Sequence, residues 1–282
     1  MKIRFWGVRS DIPVPGRGTL RYGGHTLCTT VTNDQNDLCI LDAGSGLISL
    51  GGSLMNGRFS RGEGKALLLI SHGAWDHTQG IGFFGPFLIR GNRFTLCGLG
   101  TGDAALVESL EARLAPALSP LQSLEHLVAR MVFRDADHRG IQWGAIQVES
   151  QPLPCGTEHE YDSQPLAYRL RQAGRSLVYI PRAEYPDGAA PDPVIAFCRG
   201  AHLLIHEAYC SAGDLQPGLG HSSAGAAVDL ALRAGIPRLA LFHYSPAYDD
   251  DHIERMVQTC SGGTVDRPVA IVGAREGLEL IV

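Results

Sequence analysis

The stretch LLLISHGAWDHTQG, residues 67–80, places ionisable side chains directly after an apolar run. The length and flanks of this run favour a buried β-strand. His72 follows the run at once, and Asp76 and His77 come soon after it. Burying a carboxylate beside two imidazoles is costly unless a cation or hydrogen bonds compensate. The pattern therefore predicts a metal site at a strand end, although Ala74 stands where a second chelating side chain would be expected.

Composition limits the class of protein. The chain has 282 residues, of which 44% are hydrophobic, and it is long enough to bury a large core, so we expect one domain over residues 1–282. A net charge of -5 argues against double-stranded nucleic acid or an anionic membrane as the partner. No run reaches membrane-spanning length. The seven cysteines are odd in number and spread out, which favours a reducing, cytoplasmic location.

Strand-like and helix-like patterns are mixed in both halves of the chain. LCTTV and LCILDAG, separated by TNDQND, predict a β-hairpin, and GLISLGGSL predicts a short helix after it. Leucines at three- and four-residue steps predict helix within 102–130, and another helix is predicted from His221. The closing RPVAIVGAREGLELIV predicts a pair of strands. This mixture favours an α/β fold with sheets packed together and helices outside.

Polar residues collect at the ends of the predicted strands. The residues concerned are His72, Asp76, His77, His206 and His243. Loops at such positions carry chemistry on a rigid scaffold. A lone histidine there is more often a hydrogen-bonded core group than a ligand. The weight of the metal hypothesis therefore rests on the first three.

Two further histidines stay open on residue chemistry alone. His206 in LIHEA and His221 in GHSS both suit a hydrogen bonder at a strand or helix end, and His221 with Ser222 suits a helix cap.

The absence of three sequence motifs excludes some classes of enzyme and of metal site. The GRGTLRYGGH loop lacks the Lys-Ser/Thr of a phosphate-binding loop. The sequence also has no Gly-x-Ser-x-Gly elbow and no Cys-x-x-Cys pair.

The order of motifs resembles the metallo-β-lactamase superfamily. The segments that carry the resemblance are FWGVRSDIPVPG, YGGHT, LDAGSGL, ISHGAWDHTQG, AYRL with GRSLVY, LLIHEA, GHSS and LALFHYSP. They are most similar to its phosphodiesterase branch, near ribonuclease Z and the cyclic-phosphodiesterase-like hydrolases. The resemblance covers nearly the whole chain. It implies an αββα four-layer sandwich, with two mixed sheets face to face and the site along one edge.

The resemblance also implies two metal ions, usually zinc, with a bridging hydroxide. The family pattern is His-x-His-x-Asp-His, a later histidine, a bridging aspartate and a last histidine. Carried over to this sequence, the pattern gives the metal ligands His72, Asp76, His77 and His243. The chain departs from it at Ala74, at Arg182 where the bridging aspartate belongs, and at the third motif, where Cys155 or His159 stands near the expected histidine.

These departures affect the two implied metal sites unequally. One keeps Asp76, His77 and His243, and three protein ligands with an open position are typical of a catalytic zinc. The other has Ala74 and Arg182 where two ligands belong, and it is incomplete unless Cys155, His159 or Asp11 substitutes for the missing ligands. We therefore expect one Zn²⁺ rather than two, with manganese or iron as alternative ions, and leave a metal-free protein open.

Three functional hypotheses follow from the resemblance. The leading one is hydrolysis of a small phosphodiester, such as a cyclic nucleotide, by metal-bound water. Here Arg182 and His221 contact phosphate oxygens, and His206 or Glu207 supports them or donates a proton. The second is an inactive protein of the same fold that binds an anionic ligand or a protein partner, with Arg182 replacing the lost cation. The third is altered chemistry on a (thio)ester or another biosynthetic intermediate. A homodimer is expected only by family analogy.

Overall fold

The structure, a computed structural model, describes residues 1–98, 107–108, 110–112, 114, 123–134, 140–155, 164–185, 188–262 and 269–282. Fourteen strands in the described part form two sheets of seven. The first sheet has the order β14-β1-β2-β3-β4-β5-β6, and the second has the order β13-β12-β11-β10-β9-β8-β7. The first contains β1 (Lys2–Gly7), β2 (Cys28–Thr32), β3 (Leu38–Leu41), β4 (Lys65–Ile70), β5 (Arg93–Gly98), β6 (Arg130–Arg134) and β14 (Glu279–Ile281). The second contains β7 (Ile141–Trp143), β8 (Ile146–Pro152), β9 (Leu166–Gln172), β10 (Arg175–Ile180), β11 (Leu203–Glu207), β12 (Arg238–Phe242) and β13 (Ala270–Gly273).

Both sheets are mixed. Strands β3 to β6 run parallel to one another, as do β10 to β13, and the remaining neighbours are antiparallel. The α-helices described are α1 (Gly46–Leu54), α2 (Trp75–Thr78), α3 (Asp192–Cys198), α4 (Ala224–Ala234) and α5 (Asp250–Gly262). No helix of the described part is long and apolar enough to cross a membrane.

Alternation along β4 shows how the layers form. Leu67 and Leu69 belong to the core cluster that includes the second sheet, whereas Leu68 belongs to a separate cluster with Leu47 and Leu50 of α1. Successive side chains of a strand point to opposite faces, so a strand buried on both faces is apolar throughout. Helix α1 covers the outer face of the first sheet, and α3, α4 and α5 pack with the second. The predicted αββα sandwich is confirmed.

The local predictions have mixed outcomes. The β2–β3 hairpin, the strand before His72 and the helix after Ser45 are confirmed. The two closing strands do not pair with each other, because β13 adds to β12 and β14 adds to β1. The helix predicted within 102–130 lies largely outside the described residues, and Leu124–His126 forms a short 3-10 turn.

The helix predicted from His221 begins later, at Ala224. Its N-cap is Ser223, whose hydroxyl accepts a hydrogen bond from the backbone N–H of Ala226 at 3.3 Å. His221 and Ser222 do not cap this helix because both donate to the carboxylate of Glu207 instead.

The topology gathers chemically active residues at strand ends. Asp42 follows β3 and His72 follows β4 closely, both in the first sheet. In the second sheet Glu207 ends β11 and His243 follows β12. Carboxyl ends of parallel strands meet at one edge of a sheet, where open α/β sheets bind their ligands. Stacking the two sheets brings both sets of ends together.

Replacing Phe242 with alanine tests the packing between the sheets. Its ring is fully buried and lies 5.2 Å from the ring of Tyr179 and 6.4 Å from that of Phe5. We expect F242A to lower the free energy of unfolding by about 3–5 kcal/mol in urea titrations, because the change leaves a cavity. F83A, at a ring that is 50% exposed, is the control and should change it by less than about 0.5 kcal/mol. Equal effects of the two substitutions would contradict this packing.

Candidate metal centre

Asp76, His77 and His243 bring three ligand atoms together in the buried end of the sandwich. These atoms all lie within 4.8 Å of one another. The Nε2 atom of His243 is 3.0 Å from Oδ2 of Asp76, and the Nε2 atom of His77 is 3.6 Å from the same oxygen. All three side chains are buried. Sequence positions 76, 77 and 243 therefore converge as the carried-over motif predicts.

Close backbone packing fixes the segment that carries two of these ligands. The N–H of Ala43 donates to the carbonyl of His77 at 2.8 Å, and the N–H of Gly80 donates to the carbonyl of Ala43 at 2.8 Å. A Cβ atom at Gly44 would lie 2.2 Å from the carbonyl oxygen of Asp76. Only glycine allows this approach. The LDAG turn therefore holds the short helix α2 against the end of β3.

The carboxylate of Asp42 sets the orientation of His77. Its Oδ2 lies 3.1 Å from Nδ1 of His77 and also accepts a hydrogen bond from the hydroxyl of Tyr179 at 2.8 Å. The backbone and hydroxyl of Ser71 donate to Oδ1 of the same carboxylate, both at 2.8 Å. A carboxylate accepts only, so the His77 proton stays on Nδ1 and the lone pair stays on Nε2.

That Nε2 atom of His77 is the observation that tests the fit of a metal ion. It is buried and has no hydrogen-bond partner within the described part of the chain. Buried polar atoms are nearly always satisfied, so an unsatisfied one needs an explanation. A lone pair beside the carboxylate of Asp76 and the imidazole of His243 is the donor set that a divalent cation such as zinc accepts. The residues present therefore fit a metal ion.

The carboxylate of Glu207 orients the imidazoles of His243 and His221, as Asp42 orients that of His77. Its Oε2 lies 2.9 Å from Nδ1 of His221 and 3.2 Å from Nδ1 of His243, and the side chain is fully buried. Its Oε1 accepts from the backbone N–H of Ala183 at 2.6 Å and from Ser222. Outer carboxylates of this kind orient metal-binding imidazoles. The Nε2 atom of His243 consequently faces Asp76.

Glu207, His221 and His243 also form a second group of ligand atoms within 4.8 Å. The shared atom in this group is the carboxylate oxygen Oε2, which both imidazoles already contact through Nδ1. We interpret this group as the hydrogen-bonded support of the first one.

Three site residues have a left-handed backbone. They are Asp11 (φ 61°), Asp42 (φ 59°) and His243 (φ 59°). Residues other than glycine rarely adopt this region, and Asp and His are among those that tolerate it. Such conformations cluster at functional sites, where the surrounding structure holds them.

The charges of the site oppose the effect of burial. Burial alone would raise the pKa of Asp76, but neighbouring imidazoles and Arg182 outweigh it and hold this pKa well below its usual range. Burial would likewise raise the pKa of Glu207, which hydrogen bonds and charges from His221 and His243 hold low. For His243, burial lowers the pKa, but the hydrogen bonds to Asp76 and Glu207 win and raise it to about 9.

Arg182 lies within electrostatic reach of several site groups. The side chain is 5% exposed, and Nη2 donates to the carbonyl of Leu219 at 3.2 Å. Its charge lowers the pKa of Asp76, and together with burial it lowers the pKa of His221. The charge of Arg182 is therefore close enough to act on Asp76 and His221.

His72 takes a different position from the three clustered ligands. Its Nδ1 accepts a hydrogen bond from the backbone N–H of Ala74 at 3.1 Å, and its ring centroid is 5.6 Å from that of His77. Burial lowers the pKa of His72 to about 2, and the charge of Arg182 acts in the same direction. The ring is thus neutral and is not part of either group of close ligand atoms.

The other predicted site residues are not among the clustered ligand atoms of the described structure. His206 contacts the hydroxyl of Tyr185 through Nε2 and the carbonyl of Glu207 through Nδ1, both at 2.7 Å. Glu207 thus contacts the imidazoles of His221 and His243, whereas both ring nitrogens of His206 are in hydrogen bonds with Tyr185 and a backbone carbonyl. Cys155 is exposed and belongs to neither ligand group. His159 lies outside the described residues.

Sequence reasoning missed Asp42 altogether. The signal available was an aspartate after an apolar strand, followed by the glycines of LDAGSG, which allow a tight turn. Asp11 was expected only as a replacement ligand. Its side chain instead contacts Tyr209, whose ring stacks on His221 at 4.0 Å between centroids.

Comparison with known proteins agrees with this architecture. The family described as "Beta-lactamase superfamily domain" matches residues 40–244. Ribonuclease Z of Halobacterium salinarum is 41% identical over 83 residues, which is 29% of this chain and 25% of that relative. The match thus spans about a quarter of the relative's length.

Solved structures share the fold over the whole chain. The metallo-beta-lactamase fold protein YhfI from Bacillus subtilis has a TM-score of 0.72 at 17% identity, with coverage of 99% of this chain and 98% of that one. Zn²⁺-bound PqqB from Methylobacterium extorquens has a TM-score of 0.71 at 15% identity, with 100% of both chains covered. At these identities the likeness shows the fold alone.

The protonation of His243 predicts a pH-dependent metal affinity. With a pKa of about 9, the metal-free ring is protonated at neutral pH, so a cation at Nε2 must displace one proton. We expect the apparent Zn²⁺ affinity, measured by chelator competition, to rise about tenfold per pH unit from about pH 7 to pH 9 and then level off. E207Q removes one of the charges that raise this pKa, so its curve should level off at a lower pH. A flat wild-type curve would contradict the assignment.

Proposed function

The chain belongs to the metallo-β-lactamase superfamily, in the phosphodiesterase branch, and from this premise we propose that it hydrolyses a small phosphodiester with one divalent metal ion. In this proposal Asp76, His77 and His243 hold the ion, and Zn²⁺ is the expected one. The observation that carries the proposal is the buried, unpartnered Nε2 atom of His77 within the described residues, beside Asp76. A bound cation at this point supplies Lewis acidity and positive charge next to a phosphoryl group.

The reaction class sets what the other residues must do. Hydrolysis of a diester adds water to phosphorus, breaks one ester P–O bond and moves a proton from the water to the leaving oxygen. The products are a phosphomonoester and an alcohol. The chain must therefore bind the phosphoryl oxygens, hold them for in-line attack and provide a group that can carry a proton.

His221 suits the proton-carrying role. Its Nδ1 is held by Glu207 at 2.9 Å, so Nε2 is the atom directed to a ligand. The buried Glu207 carboxylate stabilises the imidazolium that forms when Nε2 takes up a proton. Stacking against the ring of Tyr209, with 13° between the planes, keeps the imidazole in place. We assign His221 to contact with the phosphate and to transfer of the proton to the leaving oxygen.

Arg182 suits the phosphate-binding role. A guanidinium always carries a positive charge and presents several donors that match phosphate oxygens. It stands where relatives are expected to carry a carboxylate shared by two metal ions, and in this chain its charge stabilises the ionised form of Asp76. In the proposal, Arg182 replaces the charge of the second ion. A cyclic nucleotide remains the finer candidate for the substrate.

One observation favours the alternative of a metal-free anion-binding protein. Both nitrogens of His243 already have carboxylate partners, Asp76 at 3.0 Å and Glu207 at 3.2 Å. A protonated His243 therefore offsets the charge of the Asp76 and Glu207 carboxylates without a metal ion. This alternative leaves the Nε2 atom of His77 without a partner in the described structure, so we rank it second.

Loss of one proposed ligand tests the metal site. Purified protein should contain about one equivalent of zinc, manganese or iron by inductively coupled plasma mass spectrometry. D76N and H243A should lose this metal and slow hydrolysis of bis-p-nitrophenyl phosphate by more than about 100-fold, because removing a ligand costs more than removing an outer contact. H126A, at an exposed histidine, is the control and should keep both properties. Metal-free wild-type protein, with D76N and H243A folded as before, would instead support the anion-binding alternative.

Substitution of Arg182 tests the phosphate-binding role separately from the metal. R182Q should keep its metal but reduce kcat/KM for the diester by about 100-fold, the usual cost of one transition-state donor. R182K keeps the charge but loses the bidentate geometry of the guanidinium, so its kcat/KM should lie between those of the wild type and R182Q. R175Q, at the exposed arginine that begins β10, is the control. An R182Q variant with wild-type kcat/KM would remove Arg182 from the mechanism.

A further inference from the structure

We infer that Asp11 makes the proposed site selective for phosphodiester monoanions over phosphomonoester dianions. This inference rests on the proposed function and adds the charge of the substrate to it. Asp11 is not among the ligand atoms of either close group at the site, and its carboxylate has a different environment from the other acidic groups there.

The backbone places Asp11 beside the metal ligands. Its φ angle of 61° turns the chain so that the backbone N–H donates to Oδ2 of Asp76 at 3.0 Å. The backbone of Asp11 contacts Asp76, whereas its side chain contacts Tyr209. Whereas Asp76 and Glu207 are buried, the Asp11 side chain is 38% exposed. Asp11 therefore lies where the site meets solvent.

Fixed contacts aim the carboxylate at the entrance. The hydroxyl of Tyr209 donates to Oδ2 at 3.1 Å, and the hydroxyl of Ser10 donates to Oδ1 at 3.0 Å. Oδ1 is 3.8 Å from Nε2 of His221, the nitrogen assigned to the phosphate. Any ligand that contacts this nitrogen therefore lies next to the Asp11 carboxylate.

The charge of Asp11 is compensated less than the charges behind it. Asp76 lies beside His77 and His243, and Glu207 lies beside His221 and His243. For Asp11 the described residues supply no ion pair with lysine or arginine, and the imidazole of His221 is its nearest basic group. That imidazole nitrogen is 3.8 Å from Oδ1, beyond hydrogen-bond distance, so it compensates the charge only in part. Asp11 thus contributes a negative field at the entrance.

This field acts differently on substrate and product. A phosphodiester carries one negative charge, whereas a phosphomonoester carries nearly two at neutral pH. The second charge adds repulsion from a carboxylate a few ångströms away in a partly hydrated site, which amounts to roughly tenfold or more in affinity. Asp11 therefore disfavours monoesters as substrates and also speeds release of the monoester that hydrolysis produces.

The test removes the charge and keeps the shape. D11N is nearly isosteric, and asparagine tolerates the left-handed backbone of this position. D34N, at an exposed aspartate of the β2–β3 turn, removes the same charge at the opposite end of those strands and is the control. Y209F keeps the Asp11 charge but removes one contact that anchors it. All variants are full-length and loaded with zinc.

Two measurements are made on each variant. The first is the ratio of kcat/KM for bis-p-nitrophenyl phosphate to that for p-nitrophenyl phosphate, which should fall about tenfold in D11N and stay within about twofold in D34N. The second is calorimetric affinity at pH 8 for inorganic phosphate and for dimethyl phosphate. D11N should bind both anions more tightly, and inorganic phosphate should gain about tenfold more affinity than dimethyl phosphate because it carries the second charge. Y209F should keep most of the wild-type discrimination.

The outcomes separate this inference from the proposed function. If the wild type cleaves neither ester, the proposed function fails, and the phosphate affinities still test Asp11. If the wild type cleaves the diester but D11N keeps both the kcat/KM ratio and the phosphate affinity, the inference is overturned. Loss of zinc from D11N would also overturn it, because Asp11 would then be a metal ligand.

Discussion

The site depends on two buried carboxylates that each hold the Nδ1 side of a histidine. Asp42 holds His77, and Glu207 holds His243, so the Nε2 atoms of both rings face Asp76. The hydroxyl of Tyr179, from the second sheet, donates to Asp42 after the first sheet. Orientation of the imidazoles is thus built into the contact between the two sheets. A substitution that weakens this contact between the sheets should therefore change the orientation of His77 even when all three ligands are kept.

Arg182 changes the electrostatics that such a site is expected to have. Where relatives are expected to share a carboxylate between two cations, this chain has a fixed positive charge beside Asp76, and Ala74 has no donor atom. Close to them, the neutral His72 accepts a hydrogen bond from the Ala74 backbone. In the proposed function, these three residues leave one ion site and put an arginine in place of the other.

The sequence was informative where residue type alone decides the outcome. The apolar runs predicted the strands, and the motif order predicted the sandwich and the convergence of Asp76, His77 and His243. It could not choose between His206 and Glu207, because β11 is buried on both faces and its apolar pattern does not show which side chain turns toward the site. Asp42 was missed because its role depends on Tyr179, which is 137 positions away and meets it only across the sheets.

Anomalous diffraction at the zinc edge, from crystals of zinc-loaded protein, tests the central claim most directly. The account predicts one strong peak at about 2.0–2.2 Å from the Nε2 atoms of His77 and His243 and from an oxygen of Asp76. It also predicts that no second peak lies between His72 and Arg182. A second peak there, or no peak with His243 still bonded to Asp76, would contradict the account.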